Sequence, residues 1–170
     1  MTWFDQFARD NFRALVPSST LNALQIGVWT GDATGWLLDN RNVSSLVDVD
    51  CWDGPTMYNV DYAEAERVYD QRFAHCSQVA KVKAFSDDFF AANKRTFNFI
   101  YVDGDHDPEQ TYRDGVNAWN CLQPGGTLAF DDYEWQLYGV SPKSGIDRAL
   151  AEMSGHELLL MAYQVWVKKP

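Results

Sequence analysis

Apolar and polar positions along the chain switch repeatedly between the period of a strand and the period of a helix. Short apolar runs of strand length occur at residues 21–27, 44–51, 79–84, 97–103 and 127–131. Helical spacing follows each run, at residues 32–40, 62–74, 87–93, 108–122 and 144–153. Strand and helix alternating in this way predict a mostly parallel sheet with helices on both faces.

The C-terminal end departs from this alternation. Two more strands, at 156–162 and 164–168, have almost nothing between them. A parallel connection needs a crossover of roughly a dozen residues or more, so this pair must be an antiparallel hairpin. The turn residues 124–126 (PGG) are expected to precede the fifth strand, and residues 1–17 read as an amphipathic helix. The fold class predicted is therefore α/β, a doubly wound seven-stranded sheet that ends in a hairpin.

Composition limits the class of protein and of partner. The 170 residues are 46% hydrophobic and 22% charged, which suits a single folded domain spanning 1–170. The net charge of −10 argues against nucleic acid, because proteins that bind the phosphate backbone usually present a basic face. No apolar stretch approaches the roughly 20 residues that span a bilayer, so no membrane partner is expected. Three cysteines without CxxC spacing favour a reduced, cytoplasmic setting.

The loops after the first three strands could bind a nucleoside. Gly27 and Gly31 have GxxxG spacing, whereas loops that bind pyrophosphate read GxGxxG. Asp50 ends the second strand, where a carboxylate can accept the hydroxyls of an adenosine ribose. A role as helix cap or solvated turn residue fits Asp50 about equally well. Phe85 and Ser86 follow the third strand, where an adenine ring would lie, although Ser86 is also expected to be the N-cap of the next helix.

The loops after the fourth and fifth strands concentrate carboxylates. Asp103 ends one strand, and Asp131 with Asp132 ends the next. Three carboxylates close together repel each other unless a cation binds or their pKa values rise. Ligands that are all oxygen suit a hard ion such as Mg²⁺. Helix capping is the competing explanation for such residues, and it is the expected role of Asp107, which directly precedes a proline.

Together these motifs resemble the class I S-adenosylmethionine (SAM)-dependent methyltransferases over nearly the whole chain, which implies a Rossmann-like fold. The first loop of that family reads acidic-x-Gly-x-x-x-Gly, and Gln25 stands here at the acidic position. The resemblance places the methionine part of SAM beside Gln25, Gly27 and Gly31. It places the ribose at Asp50 and the adenine near Cys51, Phe85 and Ser86, with Asp103 also facing the cofactor.

The carboxylate-rich segments resemble the cation-dependent O-methyltransferases, of the catechol and caffeoyl-CoA types and of the sugar and macrolide types. This resemblance implies that Asp103, Asp131 and Asp132 bind the metal. The caffeoyl-CoA type reads Asp-x-Asp-Lys, so His106 replaces its lysine, while the sugar-modifying type uses the second aspartate, here Asp105, as the proposed base. The base is therefore His106 or Asp105, and the near-neutral pKa of a histidine favours His106.

The resemblance implies Mg²⁺-assisted methylation of a hydroxyl on a small molecule or glycan. Aromatic residues in the segments 52–61 and 133–143 could line the acceptor site, or they could form a homodimer interface. A metal-independent methyltransferase is one alternative. An NAD-dependent oxidoreductase is another, since Asp50 also fits an NAD ribose, and a non-catalytic nucleotide-binding domain is the third.

Overall fold

The computed structural model describes residues 4–54 and 60–170, so predictions that fall on residues 1–3 and 55–59 lie outside the described part. Its helices are α1 (Gln6–Leu15), α2 (Asp32–Asn40), α3 (Tyr62–Phe73), α4 (Ser86–Ala92), α5 (Pro108–Cys121) and α6 (Lys143–Glu152). Its strands are β1 (Leu21–Ile26), β2 (Val43–Asp50), β3 (Val79–Lys83), β4 (Phe97–Val102), β5 (Leu122–Phe130), β6 (Glu157–Met161) and β7 (Val165–Lys168).

The strands form one seven-stranded sheet in the order β3-β2-β1-β4-β5-β7-β6. Strands β1 to β5 pair in parallel, and β7 runs antiparallel to both β5 and β6. The predicted doubly wound α/β sheet with its C-terminal hairpin is confirmed. The strand order reverses between β1 and β4, and ligands of such sheets bind at the carboxyl ends of the strands near this point.

Helices cover both faces of the sheet, so its central strands are buried on both sides. One face packs on α5 and α6, and the other packs on α1 and α2. Phe12 of α1 makes edge-to-face contacts with five rings, those of Phe4, Trp36, Phe99, Tyr101 and Trp166. Such contacts add about 0.5–1.5 kcal/mol each beyond area burial. The amphipathic N-terminal segment therefore belongs to the core of the fold.

Most predicted boundaries agree with the structure to within two residues, and the capping interactions explain why. Asp107 accepts hydrogen bonds from the backbone N–H groups of Glu109 and Gln110 at the start of α5, which confirms its capping role. The expected N-cap at Ser86 is wrong, because Phe85 occupies the cap position and Ser86 is already helical. The Ser86 hydroxyl instead accepts a hydrogen bond from Gln110 Nε2 of α5, a tertiary contact that local sequence does not reveal.

The segment Pro124–Gly126 does not precede β5 as predicted but lies within it. The pairing with β4 jumps from Leu122 opposite Phe97 to Thr127 opposite Phe99, so the intervening residues form a bulge. Gly125 has a φ of 74°. Its N–H donates to the carbonyl of Lys169, and the Lys169 N–H donates to the carbonyl of Gly126. The antiparallel neighbour thus supplies backbone partners that keep the turn residues in the sheet.

Candidate active site

The carboxyl ends of β1, β2, β4 and β5 meet along one rim. Backbone hydrogen bonds continue past the strand ends, from Asp103 N to the Ile26 carbonyl (2.7 Å) and from Asp131 N to the Val102 carbonyl (3.0 Å). A further bond joins Gly27 N to the Val49 carbonyl (2.9 Å). These bonds hold the first residues after each strand in register, so their side chains face one crevice.

Gly27 and Gly31 are required by the packing of the protein itself. Both have a positive φ, 79° and 78°, which favours glycine. A Cβ at Gly27 would lie 1.8 Å from the carbonyl oxygen of Asp103, so the β1 loop and the end of β4 touch backbone to backbone. A Cβ at Gly31 would lie 2.3 Å from the ring of Phe73 on α3. The glycines thus bring the loop close to its neighbours, and this closeness forms the floor of the crevice.

Asp50 ties the β1 loop to the end of β2. Its Oδ2 accepts the N–H groups of Val28 (2.7 Å) and Trp29 (2.9 Å), and its Oδ1 accepts that of Trp52 (2.7 Å). Trp29 and Trp52 reach these positions with φ values of 53° and 44°. A carboxylate has about four acceptor positions, so the backbone takes three and one remains on Oδ1. The loop-positioning role and a single contact to a ligand hydroxyl are therefore compatible.

Gln25 belongs to a buried polar network rather than to an exposed loop. In the sheet it stands beside Asp48 of β2 and Tyr101 of β4. Its Nε2 donates to the Gly27 carbonyl at 3.0 Å. The hydroxyl of Thr34 lies 3.3 Å from Gln25 Oε1 and 2.8 Å from Asp48 Oδ2. A carboxylate at position 25 would stand beside the buried Asp48, so a neutral amide avoids that repulsion.

Asp48 is a fully buried carboxyl within this network. Its Oδ2 accepts the hydroxyls of Thr34 and Tyr69, both at 2.8 Å, while Oδ1 has no hydrogen-bond partner among the described residues. Burial raises the pKa of Asp48 to about 6, and the neighbouring Asp50 adds to the shift. Its protonation therefore changes near pH 6.

We expect Asp48→Asn to flatten the pH dependence of folding stability. The folded pKa of about 6 exceeds the ordinary value, so the folded state holds a proton that the unfolded state has lost. Wild-type stability should fall as pH rises from 4 to 6, by about 3 kcal/mol from this group. The measurement is urea unfolding from pH 4 to 8, comparing wild type with Asp48→Asn. The exposed Asp39→Asn is the control, and equal pH slopes in all three proteins would contradict the assignment.

A small cavity of about 30 Å³ lies between the β1 loop and the end of β4. Its lining combines polar and apolar side chains from the loop, from α2 and from the N-terminal segment: Phe4, Gln25, Val28, Trp29, Thr30, Asp32, Ala33 and Asp103. Asp32 lies in the first turn of α2 and pairs with Arg72 at 2.7 Å. The predicted site residues Gln25 and Asp103 therefore line the same cavity.

The residues predicted for the adenine side lie at the ends of β2 and β3. Phe85 is 60% exposed. Cys51 is half-buried, and its thiol donates to the carbonyl of Asp53. Gln110 Nε2 joins Ser86 to the buried Asp114, at 3.0 and 2.9 Å. Burial raises the pKa of Asp114 to about 6. Sequence reasoning missed this link between α4 and α5.

The second part of the crevice is a cluster formed by Asp103, His106 and Asp132. Each offers one ligand atom, and these atoms lie within 4.8 Å of one another. His106 Nε2 is 3.0 Å from Asp132 Oδ2. The predicted trio of Asp103, Asp131 and Asp132 is thus brought together only in part, because His106 joins the group and Asp131 does not.

Asp131 faces the core side of the cluster. Its Oδ2 accepts the hydroxyl of the buried Tyr101, and its Oδ1 accepts the backbone N–H of Asp132 at 2.9 Å. Burial and the adjacent Asp132 raise the pKa of Asp131. Burial, with Asp131 and Asp132 nearby, also raises the pKa of Asp103 well above its usual range. Each additional negative charge in this crevice is therefore costly.

Asp132 is held in an unusual backbone conformation, with a φ of 60°. The hydroxyl of Tyr163, from the turn between β6 and β7, donates to its Oδ1 at 2.8 Å and leaves Oδ2 towards His106. The Trp135 ring packs on the His106 ring with centroids 4.2 Å apart. Sequence reasoning missed Tyr101 and Tyr163. The sequence could have indicated Tyr101, because it lies two residues before Asp103 and side chains two residues apart along a strand point to the same face.

Asp105 is exposed beside the cluster, and its Oδ1 accepts the Asp107 N–H at 2.9 Å. Beyond it, the segment 133–143 contains a tight turn in which Leu137 pairs with Val140. Tyr138 at this tip has a φ of 50° and is 76% exposed. Of the other candidate acceptor segment, Met57 and Tyr58 lie outside the described residues, while Trp52 is buried against Tyr69.

A doubly wound sheet in which β7 runs antiparallel between β5 and β6 is the arrangement of the class I SAM-dependent methyltransferases. The chain belongs to the family described as methyltransferase domain, whose model matches residues 24–133. Those residues run from β1 to the acidic pair after β5 and include all the predicted site residues.

Solved structures share the fold at low sequence identity. The N-methyltransferase NodS from Bradyrhizobium japonicum, in complex with S-adenosyl-L-homocysteine (SAH), is 18% identical with a TM-score of 0.66, over 98% of this chain and 89% of that one. The O-methyltransferase NovP is 19% identical with a TM-score of 0.65, over 95% and 76%. An uncharacterized protein of Acanthamoeba polyphaga mimivirus is 18% identical over 149 residues, and the match covers 85% of this chain and 66% of that protein.

Proposed function

We propose that this protein transfers the methyl group of SAM to a hydroxyl oxygen, with a divalent cation bound in the acidic crevice. The observation that carries the proposal is the convergence of Asp103, His106 and Asp132 next to the cavity beside the β1 loop. Asp103 belongs to both, so a methyl donor and a hydroxyl acceptor bound there would meet at the end of β4.

The side chains around the cavity suit the charged groups at the methionine end of SAM. The sulfonium and the amino group of SAM are positive, and the cavity is lined by Asp32, Asp103 and the amide of Gln25. The positive N-terminal end of α2, with Gly31 as its cap residue, suits the methionine carboxylate. Asp50 would accept a ribose hydroxyl on Oδ1, and Cys51, Phe85 and Ser86 would border the adenine.

The cluster also fits a divalent cation, for which the sequence suggested Mg²⁺. Asp103 and Asp132 offer oxygen ligands, and ligands of one ion with bonds of about 2.1 Å lie at most about 4.2 Å apart. The three ligand atoms lie within 4.8 Å of one another, so the widest pair would close by up to about 0.6 Å to meet this separation. When bound, such a cation would lower the pKa of the acceptor hydroxyl. Asp131 would support the site from behind rather than bind the ion directly.

The remaining catalytic work falls to the side chains of the chain itself. They orient the acceptor oxygen towards the methyl group, which in favourable intramolecular cases accounts for about 7–11 kcal/mol of a barrier. The proton leaves to Asp105 or to His106, the two candidate bases at the mouth of the cluster. The Trp135 ring against His106 would limit water and shape the acceptor pocket.

The acceptor we propose is a small molecule or a glycan. The turn at Tyr138, a few residues after Trp135, is exposed, and the net charge of −10 disfavours nucleic acid. NovP, which shares the fold, is an O-methyltransferase. A homodimer and a cytoplasmic location remain predictions. No helix in the described parts of the chain, 4–54 and 60–170, is long and apolar enough to cross a membrane.

The test has a binding half and a turnover half. SAH should raise the melting temperature of the wild type, and Asp50→Ala should weaken SAH binding at least tenfold in calorimetry, since a charged hydrogen bond contributes about 1.5–3 kcal/mol. Methyl transfer from labelled SAM to a panel of hydroxylated acceptors should stop with EDTA and return with a divalent cation. Turnover that survives EDTA would favour the metal-independent alternative. Stabilisation by NADH instead of SAH would favour an oxidoreductase. Binding of SAH without turnover of any acceptor would favour a non-catalytic domain.

A further inference from the structure

His106 lies within the acidic cluster, and an imidazole at this position affects which cation the crevice would bind. We infer that His106 Nε2 is itself a ligand, and that the site therefore selects a first-row transition-metal ion over Mg²⁺. This inference rests on the proposed function, because it concerns the same cation. It reassigns His106 from candidate base to ligand, and Asp105 then remains as the base.

Two carboxylates, not one, lie near the imidazole of His106, and this favours the ligand role. A histidine that acts as a base usually turns one ring nitrogen to an orienting carboxylate and the other to the substrate. Here Nε2 lies 3.0 Å from Asp132 Oδ2, and an oxygen of Asp103 lies within 4.8 Å of the ring nitrogen that His106 offers. Two carboxylates and one imidazole nitrogen therefore converge on one point, which is how ligands of a single cation are arranged.

The neighbours of the cluster fix these groups before any ion binds. The Trp135 ring packs on the imidazole of His106, and the backbone N–H of Trp135 donates to the carbonyl of Asp132 at 2.9 Å. Tyr163 holds one oxygen of Asp132 and leaves the other towards His106. Hydrogen bonds of this kind orient the ligands of metal sites, and losing one typically costs about 10–100-fold in affinity.

The donor set decides the class of ion. Carboxylate oxygens alone suit Mg²⁺, whereas imidazole nitrogen suits the later first-row divalent ions. With two carboxylates and one imidazole, the site should bind Co²⁺ more tightly than Mg²⁺. Most sites share that preference to some degree, so the informative quantity is how the ratio of the two affinities changes when the imidazole is removed.

Calorimetric titration of the full chain with Co²⁺ and with Mg²⁺ tests the inference. His106→Asn should lower Co²⁺ affinity at least about tenfold and leave Mg²⁺ affinity within about threefold. His106→Asp, which makes the ligands all oxygen, should reduce the Co²⁺ to Mg²⁺ affinity ratio at least about tenfold. The visible absorption of bound Co²⁺ should also change in both variants. His156→Asn is the matched control, since the Nδ1 of His156 hydrogen-bonds to the Met153 carbonyl at 2.7 Å and His156 lies outside the cluster.

The outcomes separate this inference from the proposed function. If both His106 variants bind Co²⁺ and Mg²⁺ as the wild type does but lose turnover, His106 is a base oriented by Asp132, and the inference is overturned while the proposed function stands. If the wild type binds neither ion, the cation half of the proposed function fails, and this inference fails with it.

Discussion

Gly27→Ala should destabilise the protein by about 3–5 kcal/mol, a large part of the total stability of a typical domain. Two costs add. The φ of 79° at this position costs an alanine about 1–2 kcal/mol, and its Cβ would lie 1.8 Å from the Asp103 carbonyl oxygen. That contact is with backbone, so it is relieved only if the β1 loop and β4 move apart.

Urea unfolding measures this effect, and Gly125→Ala provides the matched control. Gly125 also has a positive φ, 74°, but a Cβ there would meet nothing within 4 Å. Its substitution should cost only the backbone conformation, about 1–2 kcal/mol. The difference between the two variants isolates the close approach at Asp103. Equal losses in both would show that this approach is not a constraint on the fold.

Asp103→Asn should lower turnover at saturating SAM by at least about 100-fold, as expected for the loss of a group that stabilises charge at the reacting centre. The same change should leave stability at pH 8 equal or higher. Burial and the charges of Asp131 and Asp132 raise the pKa of Asp103, so the ionised carboxylate is held at a cost that a neutral amide avoids.

Opposite changes in activity and stability would distinguish a functional residue from a structural one. The measurements are initial rates with labelled SAM and thermal unfolding at pH 8. Asp107→Asn on the same loop is the control, because asparagine caps a helix as well as aspartate and should keep both properties. A parallel loss of turnover and stability in Asp103→Asn would point to a structural role. Turnover within threefold of the wild type would remove Asp103 from the proposed mechanism.

The crevice shows why its acidic residues can coexist. Tyr101 and Tyr163 donate hydroxyls to Asp131 and Asp132, and His106 faces the second of these carboxylates. Hydrogen bonds to a carboxylate favour its charged form and partly offset burial. The network around Asp48 avoids repulsion between carboxylates in a different way, because its neighbour in the sheet, Gln25, is a neutral amide.

The sequence by itself determined the sheet, its hairpin and the edge at which the site lies. The signals that fix these features are local: the strand periodicity, the cap at Asp107 and the short link between β6 and β7. The carboxyl ends of parallel strands also lie at one edge of the sheet whichever side chains follow them. Only the tertiary structure decided which side chains meet there. Three features depend on side-chain rotamers and on loops that come together only when the sheet and helices have packed. These are the presence of His106 instead of Asp131 in the cluster, the hydrogen bond from Tyr163 to Asp132, and the hydrogen bond between Ser86 and Gln110 of α5.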